Sequence, residues 1–349
     1  MPNNHNDELI KRKADHLRLC ASDRVKYTAK TNGFENYEFI HDAATETDIS
    51  AIDLRTLFFG HEINVPFMIS CMTGGTDEAN NINLKLAAAA RELKIPLGLG
   101  SQRYLLESND LVHHFEMIRQ EAGDIPLVGN IGAAQVSMTE NPDEFSILVE
   151  ASKIDVLAVH LNPAQELFQK GGDLNFTGLM KNLEYLANHI EIPVIVKEVG
   201  SGISGTTAAR LLETGVKGID VAGAGGTTWT GVEILRNGGN SSHNFWNWGL
   251  PTSYCIRTVH ELKMKYDFLL IGSGGIDNSF DNARALALGA DITASARKVL
   301  QALLEGGTDA VINLINGYFE DLKKIMFLTG SSTLSELRND KLIIKSELF

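Results

Sequence analysis

The chain has 349 residues, of which 44% are hydrophobic and 21% are charged, as in an ordinary globular protein. With 31 Lys and Arg against 44 Asp and Glu, the net charge is −13, which argues against general binding to a nucleic-acid backbone. No apolar run approaches the ~18 residues of a membrane span, and residues 1–17 lack the apolar core of a secretory signal. The three cysteines have no metal-binding spacing and favour a reducing cytoplasm.

Short apolar runs begin after residue 64, so residues 1–64 are predicted to form an N-terminal extension. These runs recur at intervals of roughly 30 residues and are apolar on both faces, which is typical of strands buried in a parallel sheet. The predicted strands are Val65–Ser70, Pro96–Gly100, Pro126–Asn130, Val156–Leu161, Pro193–Glu198, Gly218–Gly223, Phe268–Gly272 and Asp291–Ala296.

Helical patterns lie between most of these strands, as at Ala79–Leu93, Pro142–Ala151 and Ser279–Leu288. Eight repeats of strand and helix predict a closed (β/α)8 TIM barrel over residues 65–349, with a doubly wound open sheet as the alternative. Residues 228–262 interrupt this rhythm and are interpreted either as a lid over the barrel or as a plain surface insertion. Residues 308–337 predict a closing amphipathic helical tail.

In such a barrel the active site is built at the C-terminal ends of the strands. All eight ends carry glycine, amide, hydroxyl or charged groups, and turn chemistry alone does not account for all of them. In strand order the ends are Cys71–Gly75, Ser101–Arg103, Asn130–Gly132, His160–Glu166, Lys197 with Glu198, Gly223–Trp229, Gly272–Gly275, and Ala296 with Arg297.

The glycine pairs 225–226 and 274–275 suit either a phosphate bound by backbone N–H groups or simple tight turns. Lys197 ends an apolar run, where an unpaired cation is costly. Three interpretations of Lys197 stay open: a Schiff-base nucleophile, a fixed cation beside an anionic cofactor, and a lysine paired with Glu198.

His160, Asn162, Gln165 and Glu166 place one imidazole, two amides and one carboxylate within seven residues. One carboxylate is too few for an all-protein metal cage, but it suits Mg²⁺ that is also held by substrate phosphates. The alternative is a group of satisfied hydrogen-bonding residues. Near the N-terminus, the basic residues around Arg12 predict either a ligand-binding patch or a solvated charge run.

Together these motifs resemble the type 2 isopentenyl diphosphate isomerases, an FMN-dependent family, from about residue 11 to the C-terminus. The resemblance rests on several long motifs in the same order. They are Arg12–His16, Met72–Gly75, Gly100–Arg103, Gly129–Gly132, His160–Glu166, Lys197–Gly200, Gly225–Thr227 and Ser273–Ile276.

The resemblance implies a role for each of these groups. For the flavin it implies contacts from Cys71, Met72, Thr73, Ser101, Asn130, Lys197 and Thr227, with Gly274, Gly275, Ile276, Ala296 and Arg297 at the phosphate end. For the substrate it implies Arg12, Lys13, His16, Ser101, Gln102, Arg103, Asn162 and Gln165, and it makes Glu166 the Mg²⁺ ligand. The catalytic candidates are Gln165, Lys197 and His160, with Trp229 as a further contact. Arg297 and Cys71 stand where small residues are usual.

The implied reaction interconverts isopentenyl and dimethylallyl diphosphate by a proton shift, with reduced FMN as acid and base and NADPH as the priming reductant. The implied protein is a cytoplasmic homo-oligomer, either a tetramer or an octamer, with neither nucleic acid nor membrane as a partner. The alternatives are an FMN-dependent oxidoreductase of the hydroxy-acid-oxidase type, a Schiff-base aldolase acting through Lys197, and a non-enzymatic phosphate-binding module.

Overall fold

The computed structural model describes residues 3–106 and 111–348. The N-terminal part begins with helix α1 (Asn3–Ala21) and continues to strand β1 (Tyr37–Phe39). Strands β2 (Thr56–Phe58) and β3 (His61–Ile63) then form an antiparallel pair. These elements precede the first barrel strand.

Within the described residues, eight parallel strands close into a barrel, each hydrogen-bonded to the next along the chain and the last to the first. The predicted (β/α)8 barrel is therefore confirmed, and the open sheet is wrong. The strands are β4 (Phe67–Ile69), β5 (Leu97–Gly98), β6 (Leu127–Gly132), β7 (Val156–Leu161), β8 (Val194–Glu198), β9 (Gly218–Asp220), β10 (Leu269–Ser273) and β11 (Ile292–Ser295).

Helices follow the strands along the chain, and most of them pack on the outside of the barrel. They are α2 (Asp77–Leu93), α3 (Val112–Ala122), α4 (Ala133–Met138), α5 (Glu144–Ser152), α6 (Pro163–Phe168), α7 (Leu179–His189), α8 (Gly205–Leu212), α9 (Trp229–Arg236), α10 (Thr252–His260), α11 (Ser279–Ala287), α12 (Arg297–Leu328) and α13 (Leu334–Leu337). Strand β12 (Leu342–Ile344) pairs with β1, which ties the C-terminal end of the chain to the N-terminal part.

The C-terminal helix begins earlier than the sequence predicts. Helix α12 starts at Arg297, directly after β11, and contacts α2 and α11 as the last helix of the barrel. Gly306 and Gly307 adopt non-helical backbone angles and interrupt it. Two adjacent glycines disfavour a helix interior. The sequence therefore predicts the helical tail only from residue 308 and misses the turns that begin at Arg297.

Residues 228–262 contain two helices with different neighbours. Helix α9 contacts α1 and α6, at the end of the barrel where the strands finish. Helix α10 contacts α8 and β10, so it packs on the outside of the barrel. Between the two helices, Trp246 is buried, and Leu250 exchanges hydrogen bonds of 2.8 Å with Ser201 and Ala224 in the loops after β8 and β9.

Two apolar layers hold the fold together. One lies inside the barrel, where β-branched and small side chains such as Val128, Val156 and Ile292 fill the space between the strands. Phe58 and Ile63 from the β2–β3 pair join this layer. The larger layer lies between the barrel and its helices and contains the buried side of α2 and α12.

Candidate active site

The N-terminal extension crosses the end of the barrel where the strands finish. The Lys13 ammonium donates a hydrogen bond to the carbonyl of Gly74, in the loop after β4, and lies 4.9 Å from the centre of the Tyr104 ring. Further along, the Thr228 N–H donates to the Val25 carbonyl at 2.9 Å. Residues 11–25 therefore lie over the predicted site rather than on a remote surface.

A buried network of charged groups joins α1 to α9. His16 Nε2 lies 2.6 Å from Glu233 Oε1, and Arg236 Nη1 donates to Glu233 Oε2 at 2.5 Å. The Glu233 side chain is fully buried, and the His16 ring meets the Trp229 ring edge-on at 5.2 Å. Hydrogen bonds and positive charge from His16 and Arg236 outweigh burial and lower the pKa of Glu233.

Arg12 lies among charged groups from three elements. Burial lowers the pKa of the Arg12 guanidinium, and the charges of Arg236 and Arg103 lower it further. The charges of Glu166 and Glu233 oppose this shift. Arg103 itself makes a 3.4 Å ion pair with Asp173. Because the Asp173 N–H also donates to Glu166 at 2.9 Å, Arg103 and Glu166 belong to one group, and arginines typically bind a multiply charged anion.

The residues after β7 form a connected group, as their spacing predicts. Asn162 Nδ2 donates to Glu166 Oε1 at 2.8 Å and lies 3.4 Å from Gln165 Oε1. The other carboxylate oxygen of Glu166 accepts from Gln169 Nε2 at 3.0 Å and from the Asp173 N–H at 2.9 Å. Among the described residues, the donors to Glu166 are three amide N–H groups, one on Oε1 and two on Oε2, so Oε1 keeps an acceptor site for a cation.

His160 and Asn130 form a pair inside the mouth of the barrel. His160 Nδ1 lies 2.6 Å from Asn130 Oδ1, which places the imidazole proton on Nδ1 and leaves Nε2 as an acceptor. Burial and the charge of Lys197 lower the pKa of His160 to about 3, so the ring is neutral near pH 7. Gln102 is fully buried and holds Asn130 in place, because its Oε1 accepts from the Asn130 N–H at 3.0 Å.

Lys197 ends β8 as a buried cation. Its Nζ donates to the backbone carbonyl of Glu198 at 2.7 Å. The Glu198 carboxylate instead accepts N–H groups from the following loop, including those of Val199 and Gly200 at 2.7 Å. Of the three interpretations of Lys197, pairing with the Glu198 side chain is replaced by a contact with the Glu198 backbone, and two donors of the ammonium remain for other groups.

The glycine loops after β9 and β10 pack against each other. A Cβ at Gly274 would lie 2.2 Å from the Gly223 carbonyl oxygen, and one at Gly226 would lie 2.7 Å from the Gly275 nitrogen. Gly274 and Gly275 also have φ angles of +106° and +72°, which other residues rarely adopt. Asn278 caps α11 by accepting the Asp281 N–H at 2.9 Å.

Arg297 begins α12 beside these loops. Its guanidinium makes ion pairs of 2.9 Å with Asp277 and 3.3 Å with Asp23, and its Nε is a buried donor without a partner among the described residues. A cavity of about 450 Å³ lies here, and its lining includes Arg297, Asp277, Gly225 and Lys26. Ala296 precedes Arg297, and Ile276 is buried beside the glycine pair.

The remaining predicted residues follow the first, second and sixth strands of the barrel. Cys71, Met72 and Thr73 follow β4, and the Thr73 carbonyl accepts the Gly100 N–H at 3.1 Å. Burial raises the pKa of the Cys71 thiol to about 11. Ser101 follows β5, and Thr227 pairs with Lys26 in an isolated antiparallel bridge.

Two residues of this region escaped the sequence-based prediction. Glu233 and Arg236 lie in the segment that was interpreted only as a lid or an insertion. Their i, i+3 spacing in the stretch Trp229–Arg236 signals an ion pair on one helix face, but not that His16 completes it from the other end of the chain.

The arrangement fits a flavin phosphate and fits Mg²⁺ less completely. Three features suit FMN. Lys197 is buried and has two N–H donors left, and Gln102 Nε2 is buried without a partner among the described residues. The glycines after β9 and β10 leave no room for a side chain, so a ligand can approach the backbone closely. Among the described residues, no group of three or more His, Cys, Asp or Glu side chains is placed to hold a metal ion. Mg²⁺ at Glu166 therefore requires substrate phosphates as additional ligands.

A closed parallel barrel with its polar groups gathered where the strands finish is typical of (β/α)8 enzymes, whose active sites lie at that end. A profile described as FMN-dependent dehydrogenase matches residues 6–108 and 160–344, and the chain belongs to this family. Curated relatives narrow the assignment to proteins named isopentenyl-diphosphate delta-isomerase. One from Chlorobium limicola is 42% identical over 96% of both chains, and one from Chlorobaculum parvum is 43% identical over 94% of this chain and 95% of its own.

Solved structures show the same fold at low sequence identity. The flavin-binding domain of baker's yeast flavocytochrome b2 aligns with a TM-score of 0.68 and 20% identity over 93% of this chain and 80% of its own. A mandelate oxidase variant aligns with a TM-score of 0.67 and 16% identity over 97% of each chain. In the described part of the chain, no helix has the length and apolar character needed to cross a membrane.

Proposed function

We propose that this protein is a type 2 isopentenyl diphosphate isomerase, which interconverts isopentenyl and dimethylallyl diphosphate with FMN and Mg²⁺. The observation that carries this proposal is the link between Arg103 and Glu166 at the mouth of the barrel: Arg103 pairs with Asp173 at 3.4 Å, and the Asp173 N–H donates to Glu166 at 2.9 Å. The charge of Glu166 also acts on the Arg12 guanidinium. A diphosphate carries several negative charges, and this group combines two guanidinium ions with one carboxylate that suits a bridging cation.

When bound, reduced FMN supplies the proton-transfer chemistry and the negative charge that an alkene substrate requires, because no ordinary side chain readily protonates a carbon–carbon double bond. Lys197 would favour the anionic form of the cofactor by supplying a fixed positive charge inside the barrel. The glycine loops after β9 and β10, with Arg297, hold the phosphate end.

The chain's own residues orient the substrate. Lys13 and Arg12 on α1 and Arg103 after β5 hold the diphosphate, and Glu166 holds Mg²⁺ against it. Gln165 has no useful pKa for acid or base catalysis, so we assign it to orienting a proton path next to Asn162. His160 is neutral at physiological pH and therefore accepts a hydrogen bond at Nε2 rather than supplying a charge.

The hydroxy-acid oxidase alternative has the support of the fold alone. The flavocytochrome b2 and mandelate oxidase structures are at most 20% identical to this chain. The connected group of Asn162, Gln165 and Glu166 has no evident purpose in oxidising a hydroxy acid.

The test combines spectroscopy with turnover. We expect the purified protein to be yellow, to bleach with dithionite, and to convert isopentenyl diphosphate only after anaerobic reduction by dithionite or NADPH. A small amount of reductant should support many turnovers, and deuterium from D₂O should appear in the product. A colourless protein, full activity of the oxidised enzyme, or consumption of one NADPH per product would overturn the proposal.

Three finer features belong to the same proposal. Cysteine usage supports a cytoplasmic location, because Cys20, Cys71 and Cys255 form no disulfide. We further propose a homo-oligomer, a tetramer or an octamer, which light scattering of the purified protein tests. NADPH is proposed only as the priming reductant, since the reaction has no net change in oxidation state.

A further inference from the structure

A buried carboxylate lies next to Lys197 inside the barrel. Lys197 on β8 and Asp220 on β9 are register partners on neighbouring parallel strands, so their side chains point to the same face of the sheet. Cys71 lies after β4, across the barrel from β8, and its thiol experiences the charge of both Lys197 and Asp220. That shared face is therefore the barrel interior, where the flavin site is proposed.

The hydrogen bonds of Asp220 satisfy only one of its oxygens. Oδ1 accepts from Ser273 Oγ at 2.5 Å and from the Ala222 N–H at 3.3 Å. Oδ2 is buried and has no partner within the described part of the chain, and the residue is fully buried. A buried carboxylate in this state is costly unless an opposite charge lies nearby.

The backbone of the following loop stabilises Glu198 more than the charge of Lys197 does. Its Oε2 accepts four successive backbone N–H groups, from Val199 to Gly202, at 2.5 to 3.2 Å. These backbone dipoles stabilise the Glu198 charge locally. Burial raises the pKa of Asp220, and the positive charge of its register partner Lys197 opposes that rise more than either of the two hydrogen bonds does.

We propose that Asp220 is a positioning residue that acts through Lys197. The negative charge of Asp220 offsets part of the positive charge of Lys197. Asp220 thereby sets how much more tightly the barrel binds reduced FMN than oxidised FMN. This inference rests on the proposed binding of FMN. The negative charge of Asp220 opposes the added charge of the reduced cofactor, while Lys197 favours it. The barrel thus limits the preference for the reduced form instead of maximising it.

The first test is the midpoint potential of the bound flavin in the Asp220→Asn protein. Removing one buried charge from this interior should increase the preference for reduced over oxidised FMN about tenfold. For a two-electron couple that is a positive shift of ~30 mV. The matched control is Asp291→Asn, since Asp291 precedes β11 at the opposite end of the barrel, where it pairs with Lys263 at 2.6 Å. The control should leave the potential unchanged.

An unchanged potential in Asp220→Asn, with FMN bound, would overturn the inference. A wild-type protein that binds no FMN would instead overturn the proposed function, so the two failures are distinguishable. A shift of equal size in Asp291→Asn would also overturn it, because the effect would then not depend on proximity to Lys197.

The second test needs no flavin. Denaturant unfolding of the apoprotein is compared for Lys197→Met, Asp220→Asn and the double variant. Removing one member of a buried pair of charges leaves the other unbalanced, so the double variant should be less destabilised than the sum of the two single variants. Additive effects would contradict the coupling of Asp220 to Lys197. If a single variant does not fold while the double variant does, the coupling is supported directly.

Discussion

His16 Nε2 lies 2.6 Å from Glu233 Oε1, and the two residues are 217 positions apart in the chain. The contact joins α1, which carries Arg12 and Lys13, to α9 at the mouth of the barrel. Because Glu233 is fully buried and also binds Arg236, its contact with His16 fixes the position of α1 over the site. The position of the substrate-binding cations thus depends on a carboxylate that need not touch the substrate.

Glu233→Gln is expected to weaken substrate binding. The change removes the charge that holds His16 and Arg236, and a hydrogen bond to a charged group contributes roughly 1.5–3 kcal/mol. We expect the KM for isopentenyl diphosphate to rise at least about tenfold, with a smaller effect on kcat. Steady-state kinetics of the reduced enzyme measure both.

The matched control is Arg55→Ala, which breaks an exposed ion pair with Asp53 far from the site. It should leave KM unchanged, because exposed pairs contribute little. If the Glu233→Gln protein also loses its bound flavin, Glu233 does more than position α1, and the prediction is wrong.

Glu166→Gln is expected to reduce the response to Mg²⁺ while the flavin stays bound. The amide has the size of the carboxylate but lacks its charge, so the cation loses its protein ligand. Activity titrated with MgCl₂ should need a much higher metal concentration, and the absorbance spectrum should match the wild type. Unchanged Mg²⁺ dependence would show that substrate phosphates alone hold the cation. Glu144→Gln, on α5, is the control.

The barrel was predictable because each strand is a short run that is apolar on both faces. Val156–Leu161 was predicted to the residue, since turn residues bound it on both sides. Ends that depend on tertiary pairing were less accurate: β9 stops at Asp220, and the chain turns at Ala222, which has a φ of +36°. Local sequence carries no signal for that turn.

The candidate site was predictable where its residues are neighbours in sequence. Asn162 and Glu166 are linked by a hydrogen bond because they lie four positions apart across the start of α6. The contact of His16 with Glu233 was not predictable, since no periodicity relates residues so distant. Likewise, Asp220 lies beside Lys197 because of the register between β8 and β9. A single run of apolar residues does not specify that register.

Arg297→Ala is expected to weaken FMN binding more than riboflavin binding. The two ligands differ only in the phosphate, and the guanidinium lies beside the glycine loops at the start of α12. Loss of a charge-assisted contact of roughly 1.5–3 kcal/mol should raise the Kd for FMN by at least about tenfold. Fluorescence titration of the apoprotein with each flavin provides the comparison.

Asp277→Asn serves as the opposite variant. Asp277 holds Arg297 at 2.9 Å and competes with a phosphate for it, so its removal should tighten FMN binding and leave riboflavin binding unchanged. Equal losses for both flavins in Arg297→Ala would show that the arginine only stabilises the fold.

The His160 side chain should make stability depend on pH in the acid range. Burial and the charge of Lys197 lower its pKa to about 3, whereas the unfolded chain takes up the proton near the ordinary value of 6.5. Between these values the unfolded state binds more protons, so the free energy of unfolding falls as pH decreases from 6.5 towards 3. His160→Gln should flatten this part of the profile relative to the wild type and leave the difference between the two proteins constant above pH 7. Denaturant unfolding at intervals from pH 4 to 8 measures the slope, and the surface variant His189→Gln should retain the wild-type profile. An identical slope in His160→Gln would mean that the imidazole takes up a proton as readily in the folded protein as in the unfolded chain.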